Sequence, residues 1–417
     1  MKSSKFNYYY TNSSKKNIIY NLLTHEKMYF EDIDSLYLIK NDDFEKLDNT
    51  ILNQCRSKGI LIDSDDELEK IKQKYYEGQK SHSILTITLA VTLQCNFRCD
   101  YCYENKAFIS MDKESANLVL TFIEKELLKG YKGLNLIWFG GEPMMNFKII
   151  KYLTPKIIAL CNNLKLGLMF TMTTNGFLLN NERIKLLKKM NINNYYITID
   201  GLENTHNKRR CEIHGLNSFK KIIENIKLMK NEGLNVIIRM NVDKRNIHEI
   251  DELRQYINTH LKVPFYLGRV QQFSDNCTNQ SIYLTKDEYS HLILDFNLSQ
   301  QNDGIQSIIK QPRNRSIFCR ACNIGTFVID PLLNLYKCEN DIGNENKSIG
   351  NLKNMELIHF TKNAYLQWDP FQFDKCNNCI FLPLCVGGCP YNGLLTNESE
   401  CENYKYIWKD YFEKVIL

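Results

Sequence analysis

Apolar and polar positions follow three successive rhythms along the chain. In the first, short apolar runs at 6–10 and 17–20 read as strands joined by the turn-rich stretch 11–16. Leu47, Ile51 and Cys55 then recur every four residues, which marks one face of a helix. Gly59 ends that helix and Ile60, Leu61 and Ile62 resume an extended run. The charged, periodic stretch 63–80 predicts a helical linker. Strands, then helix, then a short closing strand predict a small winged-helix-like unit over 1–82.

The second rhythm starts at 84. Strands are predicted at 84–91, 134–139, 167–173, 194–200, 235–242 and 263–270. Helices are predicted between them at 113–129, 147–161, 182–190, 218–231 and 247–258. Strands joined by helical crossovers give a parallel sheet and an α/β fold. Such folds place their chemistry at the C-terminal ends of the strands. Past about 305 the periodicity fades and Cys, Asn and Gly take over. A segment of that kind lacks apolar surface for a large core and is expected to fold around metal.

Composition changes this picture at one point. Of 15 cysteines in 417 residues, 11 fall at 95–102 and 319–401. A chain this long buries its own core without staples, so the clustering favours metal or cluster ligation in a reducing, cytoplasmic compartment over disulfides. The net charge of +5, from 53 basic and 48 acidic residues, is too balanced to suggest a nucleic-acid or membrane partner. No apolar run reaches the roughly 18 residues of a membrane span, and the first residues lack the apolar stretch of a secretory signal. Cys55, Cys161, Cys211 and Cys277 stand alone and read as core or surface residues.

Cys95, Cys99 and Cys102 follow the strand at 84–91 on one short loop. Three thiolates there can hold three irons of a 4Fe–4S cluster and leave the fourth open. A structural zinc site wants four ligands and fits less well. With Tyr101 before the last cysteine, this loop resembles the signature of the radical S-adenosylmethionine (SAM) enzymes. The resemblance implies a partial (β/α)6 TIM-like barrel over 83–305. It also implies that the open iron chelates the amino and carboxylate groups of SAM. Reductive cleavage then yields methionine and a 5′-deoxyadenosyl radical, which takes a hydrogen atom from substrate.

Further motifs appear in the family's order. Gly140, Gly141, Glu142 and Pro143 end the second strand and are similar to the segment that meets the SAM ammonium. Glycines permit close backbone approach and Glu142 complements a positive amine. Thr173, Thr174, Asn175 and Gly176 match the turn after the third strand. The 197–201 segment resembles the fourth-strand motif, where Thr198 would contact SAM. In the following loop Arg209 or Arg210 would meet its carboxylate. Asn241 ends the fifth strand, within reach of the ribose. His206 reads as structural rather than as a base.

The C-terminal group comprises Cys319, Cys322, Cys338, Cys376, Cys379, Cys385, Cys389 and Cys401. Its spacing resembles the SPASM extension, placed over 306–417, which carries two auxiliary 4Fe–4S clusters. By resemblance one takes Cys376, Cys379, Cys385 and Cys401, and the other Cys322, Cys338, Cys389 and Cys319. The resemblance thus implies three 4Fe–4S clusters and SAM as cofactors. The stretches 327–331 and 335–338 look like the extension's short hairpin. Cys319 sits closer to Cys322 than the pattern expects, and Leu332, Leu333 and Asn334 stand where the family has Gly. Full ligation by Cys319 is therefore open, and an open iron would accept a substrate thiolate. Two zinc sites are the alternative use of such pairs.

SPASM-bearing enzymes mostly modify peptides or proteins. The N-terminal unit resembles the element with which peptide maturases bind a leader as an added strand. A shielding cap is its alternative role. The expected function is a peptide maturase that installs a crosslink, a Cys thioether foremost, in a ribosomally made precursor peptide. An external donor of the flavodoxin or ferredoxin type would supply electrons. Glu339 and Asp341, beside Cys338, are the candidate bases, with solvated surface carboxylates as the alternative. The second enzymatic reading is an anaerobic sulfatase-maturating, formylglycine-generating enzyme. A non-catalytic iron–sulfur or zinc-binding protein is the reading from another class, and it leaves the 140–143 motif without a use.

Overall fold

Leu85, Ile87 and Leu89 are fully buried in the main core, while Thr86, Thr88 and Ala90 face the other way. This period-two split recurs through the central sheet of the computed structural model, which describes residues 1–12, 16–271, 280–303, 312–354, 356–357 and 363–417. Six strands pair in chain order, each pair parallel: β1 (Leu85–Ala90), β2 (Gly133–Phe139), β3 (Gly167–Thr174), β4 (Ile192–Thr198), β5 (Asn235–Val242) and β6 (Phe265–Arg269). Helices α1 (Lys113–Leu127), α2 (Phe147–Asn163), α3 (Asn181–Lys189), α4 (Ser218–Asn231) and α5 (Ile250–His260) form the crossovers. Their apolar stripes meet the outward residues of the strands in one continuous core, for example Ile123, Ile150 and Ile222 with Leu136, Trp138 and Ile238.

The predicted strands and crossover helices are present, with ends shifted by up to three residues. The α5 boundary moves because 247–249 forms a separate 3-10 turn. A further helix, α6 (Lys286–Asn302), was not predicted. A capping box between Thr285 and Glu288 starts it, but its apolar positions are poorly segregated. Among the described residues no helix is long and apolar enough to cross a membrane.

The sheet continues beyond β1. β7 (Thr326–Ile329) joins it parallel, and β8 (Asn334–Tyr336), β9 (Gly350–Asn351) and β10 (Glu356–Leu357) follow antiparallel. The result is a ten-stranded mixed sheet in the order β6-β5-β4-β3-β2-β1-β7-β8-β9-β10, a partial barrel. The hairpin expected at 327–338 is thus built into the barrel sheet. Asp330 closes its turn, accepting from Leu332 N and Asn334 N at 2.9 Å and from the Tyr336 hydroxyl at 3.0 Å. Leu333 takes a positive φ of 72° where the family pattern expects glycine.

The chain divides into two units. Ser81–Ile308 and Ile324–Asn363 form the barrel unit, and Met1–Lys80, Ile309–Asn323 and Ala364–Leu417 form the other. The boundary predicted at 305 lies outside the described residues. In the second unit, strands Asn7–Thr11, Asn17–Asn21 and Lys27–Phe30 make an antiparallel sheet. Helices Ile33–Lys40, Asn49–Ser57 and Glu67–Gln79 follow it, and Leu61–Ile62 pairs with Lys2–Ser3. The third strand and the first helix were not predicted. One sheet face buries Ile19, Met28 and Phe30 with Leu36, Ile39 and Cys55. On the other, Tyr8, Tyr10 and Tyr20 pack on Trp408 and Phe412 near the C-terminus. The stretch expected as a linker is an integral helix, with Tyr75 donating to the Trp368 carbonyl at 2.7 Å. Cys161 is buried as expected, Cys211 is exposed, and Cys277 lies outside the described residues.

Candidate active site at the strand ends of the barrel

The cysteine loop leaves β1 and is held from several directions. Within it Phe97–Cys99 pairs antiparallel with Arg210–Glu212, a short ribbon with no sequence periodicity to reveal it. Gly140 and Gly141 lie so close to the loop that an added Cβ would sit 2.2 Å from the Thr92 carbonyl oxygen and 2.4 Å from that of Gln94. The space left by the two glycines is therefore filled by the chain's own backbone, and Glu142 N donates to Gln94 O at 2.8 Å. The Asn175 amide donates to Asn96 Oδ1 at 2.8 Å, tying the β3 end to the loop. Asn146, which follows Pro143 in the same turn, donates to the carbonyls of Val91 and Met111.

Glu142 is fully buried. Its Oε1 accepts from Met144 N at 2.9 Å and Thr174 Oγ1 at 2.7 Å, and its Oε2 from Asn175 N at 2.7 Å. Burial pushes its carboxyl above the usual range, and these bonds oppose the shift. Glu142 thus joins the ends of β2 and β3, a bracing role its motif did not reveal.

Tyr101 is the hub of the site. Its hydroxyl donates to Asp200 and accepts from Arg210 Nη1 at 2.6 Å and Asn241 Nδ2 at 3.1 Å. Asp200, fully buried, also accepts Asn241 N at 2.8 Å. Arg209 forms a buried ion pair with Asp243 at 2.9 Å, and its guanidinium lies 5.2 Å from the Tyr101 ring centre. Both arginines expected near a carboxylate are thus matched within the chain, Arg210 lying 3.8 Å from Asp200. His206 accepts Asp200 N through Nδ1, and burial holds it well below its ordinary value, so it stays neutral. Thr198 ends β4 on the inner face of the sheet. Asp200, Asp243 and Asn146 escaped sequence reasoning because their partners are distant in the chain.

Among the described residues all cysteines are free. Burial pushes the Cys95 thiol up to about 12 and the Cys102 thiol to about 11. Thiolates in such a place need a compensating cation, which the iron of a cluster would supply. In the other unit, Cys376, Cys379, Cys385 and Cys401 line one pocket. Among the described residues no three His, Cys, Asp or Glu side chains close on a point as one metal ion requires. Four thiols around one pocket suit an iron–sulfur cluster. Cys338 belongs to the barrel unit, and Cys319, Cys322 and Cys389 to the other. Beside Cys338, Glu339 accepts from Thr88 Oγ1 of the inner face at 2.9 Å, while Asp341 is buried in a 3-10 turn.

This fold and loop define a class. Residues 89–257 match the Radical SAM superfamily. The chain carries a radical SAM domain joined to a cysteine-rich, SPASM-like C-terminal region, and it is an enzyme of that class. Among relatives it is 23% identical to the radical SAM cyclopropyl synthase TigE of Paramaledivibacter caminithermalis, over 89% of this chain and 85% of that one. It is 24% identical to a cysteine-type anaerobic sulfatase-maturating enzyme of Clostridium novyi, over 77% of this chain and 92% of that one. Its fold is similar to native anSMEcpe with bound AdoMet and the Cp18Cys peptide, with a TM-score of 0.64, 19% identity and coverage of 80% of this chain and 97% of that one. It is also similar to Streptococcus suis SuiB bound to precursor peptide SuiA, with a TM-score of 0.58, 16% identity and coverage of 96% and 97%.

Proposed function

We propose that this chain uses SAM to modify a peptide or protein substrate by radical chemistry. The observation that carries the reading is the convergence on the cysteine loop of the Glu142 backbone N–H, Asn175, Asp200 and Asn241 from four strand ends, with Arg210 from the ribbon. In this reading Cys95, Cys99 and Cys102 hold a 4Fe–4S cluster with an open iron. Cys376, Cys379, Cys385 and Cys401 hold an auxiliary one. When bound, the first cluster and SAM together supply a radical able to remove hydrogen from an unactivated carbon.

The chain's own residues position and shield. Tyr101 and Asp200 fix the loop against the sheet, so the SAM-facing side is set before binding. Thr198 and Asn241 present polar atoms from the inner face toward SAM. Glu142 Oε2, which accepts one bond, is the oxygen with capacity left for an ammonium. Glu339, on Thr88, takes a proton from substrate.

The comparisons favour formylglycine formation from a Cys or Ser of a sulfatase over the thioether crosslink that the sequence suggested. The sulfatase-maturating enzyme of Clostridium novyi aligns over 92% of its length, and anSMEcpe superposes at the higher TM-score. A crosslink in a leader-bearing precursor keeps one support: SuiB covers 96% of this chain against 80% for anSMEcpe. In that reading the N-terminal sheet pairs with a leader strand. A flavodoxin- or ferredoxin-like donor and a reducing cytoplasm complete the proposal.

The test is anaerobic reconstitution with SAM and a reductant, followed by iron counting, electron paramagnetic resonance with and without SAM, and mass spectrometry. The probes are a sulfatase-derived Cys peptide and the Cys-containing peptide encoded beside the gene. Loss of sulfur with gain of oxygen means formylglycine, and loss of two hydrogens means a crosslink. Absence of 5′-deoxyadenosine, together with a resonance that SAM leaves unchanged, overturns the reading.

A further inference from the structure

Arg239 lies on the inner face of β5 between Ile237 and Asn241, in register with Thr198 of β4 and Tyr266 of β6. Its Nε donates to Asn241 Oδ1 at 2.7 Å. Its guanidinium stands 6.0 Å from the Tyr266 ring centre, and Tyr266 meets Tyr196 edge-on at 6.3 Å. The guanidinium lies across bare backbone at Gly268, where an added Cβ would sit 2.5 Å from Nε and 2.7 Å from Nη2.

Three neighbouring arginines have carboxylates. Arg209 pairs with Asp243, Arg210 faces Asp200, and Arg245 binds Asp100 and Asp243. Arg239 instead lies beside Asn241 and the Tyr266 ring. Among the described residues no carboxylate comes within ion-pair distance of it. A cation drawn from water without a counterion is costly, and the fork of a guanidinium matches a carboxylate bidentately. Tyr196 beside it keeps 37% exposure, so solvent and ligands reach this part of the inner face.

We propose that Arg239 determines specificity by binding a carboxylate of the peptide substrate, with Tyr196 and Tyr266 as the walls of the subsite. The proposal rests on the reading of the chain as a peptide-modifying enzyme. An Asp or Glu side chain near the reacting residue and a C-terminal carboxylate share the required chemistry.

The experiment uses the reconstituted full chain and fluorescein-labelled nonapeptides with a central Cys. One series carries Glu or Gln two residues from the Cys, and each peptide is made with a free or an amidated C-terminus. Binding is read by anisotropy without reductant, and SAM binding is measured in parallel. The wild type is expected to hold carboxylate-bearing probes roughly tenfold or more tighter than neutral ones. Arg239→Gln erases that preference, Arg239→Lys keeps part of it, and Gly268→Ala, which displaces the guanidinium, weakens it. The loss in peptide binding for Arg239→Gln exceeds its loss in SAM binding by about tenfold or more. Preference for Glu over Gln assigns a side chain as the source, and preference for the free terminus assigns the chain end. Equal binding of all probes by the wild type, or a preference that survives Arg239→Gln, overturns the proposal. A loss confined to SAM binding overturns it as well, by assigning Arg239 to SAM. If 5′-deoxyadenosine never forms, the proposed function fails, and the anisotropy comparison still decides the role of Arg239.

Discussion

Around Cys95, Cys99 and Cys102 the barrel supplies a frame that needs no metal. Behind the loop lies a continuous apolar core, and its backbone is hydrogen-bonded to β2 and to the Arg210–Glu212 ribbon. Around Cys376, Cys379, Cys385 and Cys401 the order is of another kind. The thiols sit on or beside helices of four residues, Asp374–Asn377 and Leu382–Cys385. Turns with positive φ at Val386, Gly387 and Gly388 follow, and a Cβ at Gly388 would lie 1.9 Å from the Glu400 carbonyl oxygen. Helices this short have no stability of their own in water. The contrast teaches that one set of cysteines is presented by a fold, while the other is expected to depend on a bound group.

The largest expected effect separates the two directly. Cys95→Ala is expected to reduce 5′-deoxyadenosine formation to background while the melting of the barrel, followed by circular dichroism, barely moves. Chelating the iron is the converse experiment. It should expose 374–401 to protease under conditions in which 85–269 stays protected, and equal cleavage of both regions would erase the contrast.

Core substitutions come next. Trp138→Ala, at a fully buried site against Phe170, should cost about 3–5 kcal/mol in urea unfolding. Phe412→Ala should cost a similar amount in the other unit, because Tyr8, Tyr10 and Tyr20 close around that ring. A much smaller loss at Phe412 would mean that metal binding, rather than packing, orders that whole unit.

Asp243→Asn is expected to destabilise the barrel by about 3 kcal/mol, because Arg209 and Arg245 lose their carboxylate. Burial raises the Asp243 carboxyl, but hydrogen bonds from Arg245 and the charge of Arg209 outweigh it and hold it below its ordinary value. Its contribution to stability is therefore complete above the unfolded value near pH ~4 and is lost as pH falls through the lower folded value. Wild type and Asp243→Asn should converge in stability there, and curves that stay parallel would exclude the linkage. The smallest effect is that of Asn175→Ala, about 1–2 kcal/mol for the lost bonds to Asn96 of the cysteine loop and from Phe177 N, read as reduced iron occupancy on dilution.

The barrel was legible because its signals are local. Leu85, Ile87 and Leu89 alternate with threonines, and the stripes of α1 to α5 recur at helical spacing. Cys95, Cys99 and Cys102 announce themselves by spacing alone. The Phe97–Cys99 ribbon escaped because three residues carry no period. The strand at Lys27–Phe30 escaped because a strand so short gives little alternation to read. Glu142 was legible as a motif, but its use was not, since Thr174 and Asn175 reach it across 32 and 33 residues.

The sequence by itself determined the class of fold, the cysteine loop and the strand ends where chemistry gathers, because periodicity and spacing act between neighbours in the chain. Only the tertiary structure decided that Tyr101 would join Asp200, Arg210 and Asn241, which lie 99, 109 and 140 residues away. It also decided that Arg209 and Arg210 would be matched by carboxylates while Arg239 would lie beside Tyr266 over bare Gly268. Charge compensation is a property of positions in space, and no local pattern encodes which cation is left for a ligand.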